Sequence, residues 1–387
     1  MFDFEQGAPP SVNSSSEIET VWFAGFELNE RQIKAKAQEP AKRGDSFMTQ
    51  LKFWYEIHNY QSHRRVAEIY RQMLSRRYIP AVSVDDADVV VLHLEPHDYE
   101  SIYNQFPALR KKYVISYCVW EASELPAAYQ RSLALVQEVW TCSEYCVGVI
   151  KKHHPRVFRV PHTIVREQLN HDIEDEIIRR LICYDRQNYY FLSIGRTLGS
   201  RKNLSGLVQV FETTASSMPN ARLVIKGLPK DPILRSRDPR VIYLPLGLSE
   251  SQINALYKAV DVYVSAHHSE GWGLTLSDAM LFGKPAVATG YSGNLDFMSN
   301  DNSFLVRFTE NYIREDELFG LFTPQMKWAD PDAEHLRSIM LSLYDGSLRK
   351  EAIQKSKRAL EDIQNFSTDS VRELLLGRME EVRLRAA

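Results

Sequence analysis

Short, unbroken apolar runs recur along this chain, and most are followed by a stretch with helical spacing. Val89-Val90-Val91-Leu92 precedes Asp98 to Lys111, Tyr113 to Tyr117 precedes Pro126 to Val136, and Val139-Trp140-Thr141 precedes Glu144 to His153. Val157 to Val160 ends that series. A strand that is apolar without alternation is buried on both faces, the condition of a parallel sheet covered by helices on either side. After Pro161-His162-Thr163 the pattern restarts. Tyr190 to Ile194, Arg222 to Lys226, Val241 to Leu244, Val262 to Ser265 and Ala286 to Ala288 read as strands, Leu204 to Ser217 and Glu250 to Ala259 as helices, and Phe304 to Val306 closes the second sheet. The chain therefore reads as α/β, with two Rossmann-like, doubly wound parallel-sheet domains facing a cleft. Ligands in such sheets bind at the carboxyl ends of the strands.

A length of 387 residues suits two domains. The expected boundaries are a loose tail over 1–18, a first α/β domain over 19–163, a connecting helix over 164–185, a second α/β domain over 186–364, and a last helix over 365–387 that packs back on the first domain. Val21 to Phe26 is a candidate first strand, and Glu30 to Asp45 has no clear period. Phe47 to Tyr60 and Arg64 to Arg77 carry apolar residues at helical spacing, such as Val66, Ile69, Tyr70, Met73 and Leu74. Asn311 to Lys327 reads as irregular. Asp330-Pro331-Asp332 reads as a helix cap, a proline at the first helical position and an acid in the first turn. That helix runs toward Tyr344, with two more over Leu348 to Ile363 and Thr368 to Arg383.

Composition excludes several classes. A formal net charge of −3 with mixed signs gives no case for nucleic-acid binding. The basic runs Arg64-Arg65 to Arg76-Arg77, Arg110-Lys111-Lys112 and Lys151 to Arg159 read as solvated faces, the alternative being contact with an anionic membrane or a phosphate-bearing acceptor. No run approaches the ~18 apolar residues of a membrane span, and no signal pattern opens the chain. The expectation is a cytoplasmic protein, at most peripheral at the inner face of a membrane. Cys118, Cys142, Cys146 and Cys183 lack zinc-knuckle spacing and read as ordinary thiols in a reducing compartment. Asp86-x-Asp88 precedes a strand, where a metal pair should follow one, and reads as a turn. His153-His154 and His267-His268 lack the partners of a zinc site, so no metal is expected.

Ser265 to Met298 is the most informative stretch. A strand feeds a loop with Glu270, Gly271 and Gly273, a helix follows, and Gly283-Lys284-Pro285 stops it before the next strand. Free amides at that helix start suit an anion such as a phosphate, and a second carboxylate, Asp278, lies eight residues on from Glu270. Earlier, Gly195-Arg196 ends a strand and Arg201-Lys202-Asn203 opens a helix. Arg196 and Lys202 together suit a diphosphate.

These residues resemble a family. Ser269-Glu270-Gly271-Trp272-Gly273-Leu274, the Gly-Lys-Pro stop with Val287, Ala288 and Thr289, and Tyr291-Ser292-Gly293-Asn294 are similar to retaining glycosyltransferases of family 4, which have the two-domain GT-B fold. The resemblance covers roughly Tyr190 to Glu334, including Ile225-Lys226-Gly227. It is weaker at Trp120-Glu121, Val139 to Ser143 and Val160-Pro161-His162. It implies that Arg196 and Lys202 hold the departing diphosphate, and that Glu270 lies near the transferred sugar. Gly273, Leu274, Thr275, Gly195 and Lys226 would complete the donor site. Asp278 stands where the family's second Glu binds the ribose, a departure by one methylene. On the acceptor side, the resemblance and the position after a strand point to His93, Glu95, His97 and Glu121.

The function implied is a metal-independent, retaining transfer of a hexose from a nucleotide-diphosphate sugar to a saccharide or lipid-linked acceptor, in surface polysaccharide synthesis and without a cofactor. Rivals are a nucleotide-sugar epimerase or a glycogen-synthase-like polymerase on the same architecture, and a catalytically inactive partner or carbohydrate-binding subunit.

Overall fold

The computed structural model describes residues 51–57, 61–166 and 172–386. The expected tail over 1–18, the strand over Val21 to Phe26 and the unassigned Glu30 to Asp45 lie outside the described residues. The described residues form one compact unit.

Two six-stranded sheets build it. The first has the order β2-β1-β3-β4-β5-β6, with β1 at Lys52–Ile57, β2 at Ile79–Pro80, β3 at Val89–His93, β4 at Tyr113–Tyr117, β5 at Glu138–Thr141 and β6 at Val157–Arg159. The second has the order β12-β11-β10-β7-β8-β9, with β7 at Tyr189–Ile194, β8 at Ala221–Lys226, β9 at Val241–Leu244, β10 at Val262–Ser265, β11 at Ala286–Thr289 and β12 at Phe304–Val306. Neighbours in both sheets pair parallel. The central strands are buried along their whole length, as unbroken apolar runs require.

Four local readings change. Phe47 to Tyr60, expected as a helix, contains β1. Phe53 and Tyr55 point inward between partly exposed neighbours, a period of two that the flanking aromatics hide. Asp98 to Lys111 is broken. A helix at Tyr99–Gln105 ends before Pro107, and a 3₁₀ segment follows over Pro107–Lys111. The segment read as irregular begins and ends in an antiparallel hairpin, β13 at Phe308–Tyr312 and β14 at Lys327–Pro331. Its solvent-facing first strand gives no apolar signal. The helix cap expected at Asp330 sits two residues later: Pro331 ends β14, and the Asp332 carboxylate accepts the His335 amide at 2.9 Å.

One apolar core runs through both halves, joining Val114 and Tyr117 of the first sheet to Leu192 and Tyr263 of the second. A second cluster covers the far face of the second sheet. Helix α1 (Gln61–Leu74) and the last helix, α11 (Thr368–Ala386), pack together beside the first sheet. Within α11, Arg378 grips Glu138 of β5 with two bonds of 2.9 and 2.6 Å. The chain thus crosses between the sheets twice, near Thr163-Ile164 and near Phe366. The crossings run side by side, with the Ile164 amide donating to the Phe366 carbonyl at 2.9 Å. Among the described residues no helix is long and apolar enough to cross a membrane.

Candidate active site

The carboxyl ends of β3 and β4 face those of β7 and β10, and the turns that leave them carry the polar groups. Glu270 follows β10. It is 4% exposed, and it binds the Lys202 ammonium and the Arg201 guanidinium, the latter at 3.2 Å. Burial pushes its carboxyl up, but Lys202 and Arg201 outweigh burial and leave it at about 2. Glu270 is therefore held as the carboxylate by its two cations. His267 behind it is driven down to about 4 by burial, and is neutral between Ser265 Oγ at 3.0 Å and Asn294 Oδ1 at 3.2 Å.

Backbone fit fixes the Glu270 loop. The Glu270 amide donates to Ser292 Oγ at 2.8 Å, and its carbonyl accepts the Gly293 amide at 2.9 Å. A Cβ on Gly293 would lie 1.9 Å from the Gly271 carbonyl oxygen, so the two segments can meet only because residue 293 has no side chain. Gly273 has φ 98° and precedes the helix α8 at Leu274–Leu281 without a side-chain cap. A left-handed residue there turns the chain so that the first amides of α8 open toward the cleft.

The first sheet docks on this loop. Ser143 Oγ donates to the Gly271 carbonyl at 2.7 Å. Asp296 takes the Glu144 amide at 3.0 Å and Arg159 at 2.9 Å, and Trp120 stacks on Phe322 with centroids 4.9 Å apart. Between them Arg201 also reaches Glu121, which follows β4, at 3.2 Å. Glu121 in turn stands within electrostatic reach of Glu95. Burial first, then Glu121 and Asp98, push Glu95 up to about 7. Tyr129 donates its hydroxyl to Glu95.

The expected site residues thus sort into separate groups. Glu270, Lys202, Glu121 and Glu95 gather in the cleft, with Gly273, Leu274 and Thr275 at the adjoining helix start. Lys202 pairs with Glu270, and Arg196 has another carboxylate partner. It pairs with Asp231 at 2.9 Å, and Asp231 also draws on Lys226, whose ammonium burial holds below its usual value. Gly195 packs on the Lys202 stem, its missing Cβ leaving 3.2 Å to Lys202 Cγ. Asp278 belongs to a third group. It is 2% exposed and lies 2.8 Å from Arg166 Nε and 3.7 Å from Arg65 Nη1. Burial raises its carboxyl and the two guanidiniums oppose that. His93 sits in an aromatic stack, 4.2 Å from the Tyr117 ring centroid and bonded to Tyr55 at 3.0 Å. His97 is largely exposed and lies over Tyr129.

Sequence reading missed four participants. Arg201 was visible beside Lys202 but drew no separate role. Asp231 follows β8 in a stretch without a motif. Arg166 lies next to the connecting segment, and Arg65 belongs to a basic run read as solvated, where its neighbour Arg64 does face solvent with Glu68.

One His-carboxylate group was also not expected. His268, Glu317 and Asp330 offer atoms within 4.8 Å of one another. Glu317 addresses Nε2 at 3.5 Å, whereas Asp330 addresses Nδ1 at 3.4 Å, which already meets the Ala329 carbonyl at 2.6 Å. Arg314 pairs with both carboxylates. Ligands on opposite ring nitrogens do not converge on one ion, so the group fits an ion-pair network better than a metal site.

Comparison with known proteins bears on the fold that carries these residues. The HepE protein of Anabaena, solved with UDP and glucose, matches 86% of this chain and 100% of its own at a TM-score of 0.61 and 12% identity. WaaG, described as a glycosyltransferase involved in lipopolysaccharide biosynthesis, matches 84% of this chain and 100% of its own at 0.56 and 12%. The fold is GT-B. Within this GT-B chain, residues 176–312 match the family profile described as glycosyl transferases group 1. The GtfA subunit of the UDP-N-acetylglucosamine–peptide N-acetylglucosaminyltransferase of Streptococcus pneumoniae is 26% identical over 117 residues, covering 29% of this chain and 23% of that protein. The trehalose synthase of Pyrococcus horikoshii is 25% identical over 140 residues, covering 32% and 34%. The chain thus aligns with about a third or less of the curated relatives it matches. The family match includes Arg196, Lys202, Glu270 and Asp278 of the GT-B second domain. Glu121, Glu95 and His93 lie outside it.

Proposed function

We propose that this protein is a retaining glycosyltransferase that moves a hexose from a nucleotide-diphosphate sugar to a saccharide or glycolipid acceptor, with surface polysaccharide synthesis as its setting. The observation that carries the reading is the Lys202–Glu270–Arg201 cluster beside the uncapped start of α8. A buried, ionised carboxylate can hydrogen-bond sugar hydroxyls. An ammonium and open helix amides next to it can take the negative charge that grows on a departing diphosphate. Arg196 and Lys226, both gathered at Asp231, supply further positive charge on the same side. Among the described residues no side chain is set up as a nucleophile, so the favoured route is departure of the diphosphate from the face that the acceptor enters, its oxygen taking the acceptor proton. Glu121 and Glu95 then serve as acceptor-side hydrogen-bond partners, and the docked first sheet keeps water from the donor.

Charge neutralisation by Lys202, Arg196 and Lys226 makes the transfer metal-independent in this reading. Excess chelator should leave turnover within about twofold of the untreated enzyme, because the side chains carry the task a cation would otherwise perform. Function is tested by incubation with UDP-, GDP- and dTDP-sugars, measuring nucleoside diphosphate release with and without acceptor extracts. Acceptor-stimulated release with retained anomeric configuration is the expected outcome. Inverted product would defeat the mechanism.

A second reading rests on Asp278. Its carboxylate is already held by Arg166 and Arg65, so it would have to leave them to take a ribose. A protein that binds a sugar nucleotide or saccharide without turning it over is consistent with that. Donor binding without release, across the whole panel, would favour it.

A further inference from the structure

Arg201 is not one of the two cations that the resemblance assigns to the diphosphate, and its position is more constrained than theirs. Its carbonyl accepts the His268 amide at 2.8 Å. Its Nη1 donates to the Ser269 carbonyl at 2.8 Å and lies 3.2 Å from Glu270 Oε2. The residue is thus fastened at both ends to the loop that carries Glu270. A further partner comes from the other sheet, Glu121 Oε1 at 3.2 Å from Nη2.

This placement has an electrostatic consequence. Glu121 and Glu270 approach the same point from opposite sides of the cleft, and two carboxylates that close repel each other. One planar guanidinium between them, with separate nitrogens for each, turns that repulsion into attraction. Lys202 cannot replace it, because its ammonium is spent on Glu270 Oε1. When a diphosphate draws Lys202 away, Arg201 becomes the cation that keeps Glu270 charged and aimed. It does this with full effect only while Glu121 is docked against it.

We propose that Arg201 is a positioning residue that makes the orientation of Glu270 conditional on the arrival of Glu121, so that the donor sugar is held for reaction only when the acceptor side has closed. The inference rests on the glycosyltransferase reading for its catalytic consequence, whereas the closure itself does not depend on it.

The test uses the full chain with Glu121→Gln, Arg201→Met, Arg201→Lys and the double variant Glu121→Gln/Arg201→Met, each checked for native folding by circular dichroism. Small-angle X-ray scattering reads closure without any substrate. Both Glu121→Gln and Arg201→Met should enlarge the radius of gyration, and the double variant should add nothing further, since the two side chains form one contact. With an active donor, the ratio of donor hydrolysis to transfer should rise about tenfold in each single variant, because a cleft that fails to close admits water. Arg201→Lys should behave like Glu121→Gln, since one ammonium lacks the fork needed for both carboxylates. Scattering profiles identical to wild type in the isosteric Glu121→Gln variant would overturn the proposal, and so would additive effects in the double variant. A wild-type protein that turns over no donor would sink the enzyme reading, yet the scattering comparison would still decide the role of Arg201.

Discussion

Glu270, buried, and Glu95, half-buried, are two carboxyls in one cleft that their surroundings drive in opposite directions. Glu270, held at about 2 by its two cations, is a permanent anion. Removing it or its ammonium partner removes charge placed for the reacting centre, so Glu270→Ala and Lys202→Ala should each lower turnover at least ~100-fold. Near-normal rates in both would refute the site. Glu95, at about 7 against an ordinary 4.5, is protonated in the folded protein where the unfolded chain is already ionised. Stability should therefore fall as pH rises from about 4.5 toward 7. Glu95→Gln should flatten the melting temperature over that window, and an unchanged pH dependence would show the carboxyl to be solvated. Glu270 and Lys202 were legible in the sequence because each follows an apolar strand within a short glycine-bearing motif. The partners of Asp278 were not. Arg65 lies on a helix near the start of the described chain and Arg166 beside the connecting segment, and spacing carries no information about such encounters.

At the scale of elements, apolar runs located β3 to β12, most clearly the central strands β3, β5, β10 and β11, where burial on both faces leaves a run with no alternative. The method failed where a strand sits half-buried among aromatics, as in β1, and where β13 turns all its residues to solvent. The glycines separate conformational need from convenience. Gly293→Ala would set a Cβ 1.9 Å from a carbonyl oxygen, where neither backbone can yield. The Glu270 loop should be displaced, with a loss of roughly 2–3 kcal/mol in chemical denaturation and of most turnover. Gly377 lies inside α11, exposed, with nothing within 4 Å of an added Cβ. Gly377→Ala should stabilise the protein by about 0.5–1 kcal/mol. A loss there would mean that the helix face meets something further.

For the whole molecule, the grip of α11 on the first sheet is a long-range tie. Glu138 is fully buried and is shared by Arg378 and by Arg156 at 2.7 Å, with Trp140 Nε1 donating at 2.7 Å. Arg378→Met leaves that carboxylate with one cation fewer in a site closed to water, at a cost of about 3 kcal/mol, readable as an earlier denaturation midpoint. A change below ~1 kcal/mol would show that Arg156 suffices alone. No sequence pattern announces this pair, because its members belong to a mid-chain strand and the last helix.

The two crossings between the sheets give the molecule a mechanical character of its own. A single connecting segment would behave as a swivel, free to twist and slide. Two segments laid edge to edge, bonded from Ile164 to Phe366, behave as paired pins. Shear and torsion would tear that bond, whereas a swing about the line of the pins leaves it intact. Two bonded crossings thereby restrain twist and slide between the halves more than one would, and Ser143 on Gly271, Arg159 on Asp296 and Glu121 on Arg201 are contacts across the same seam.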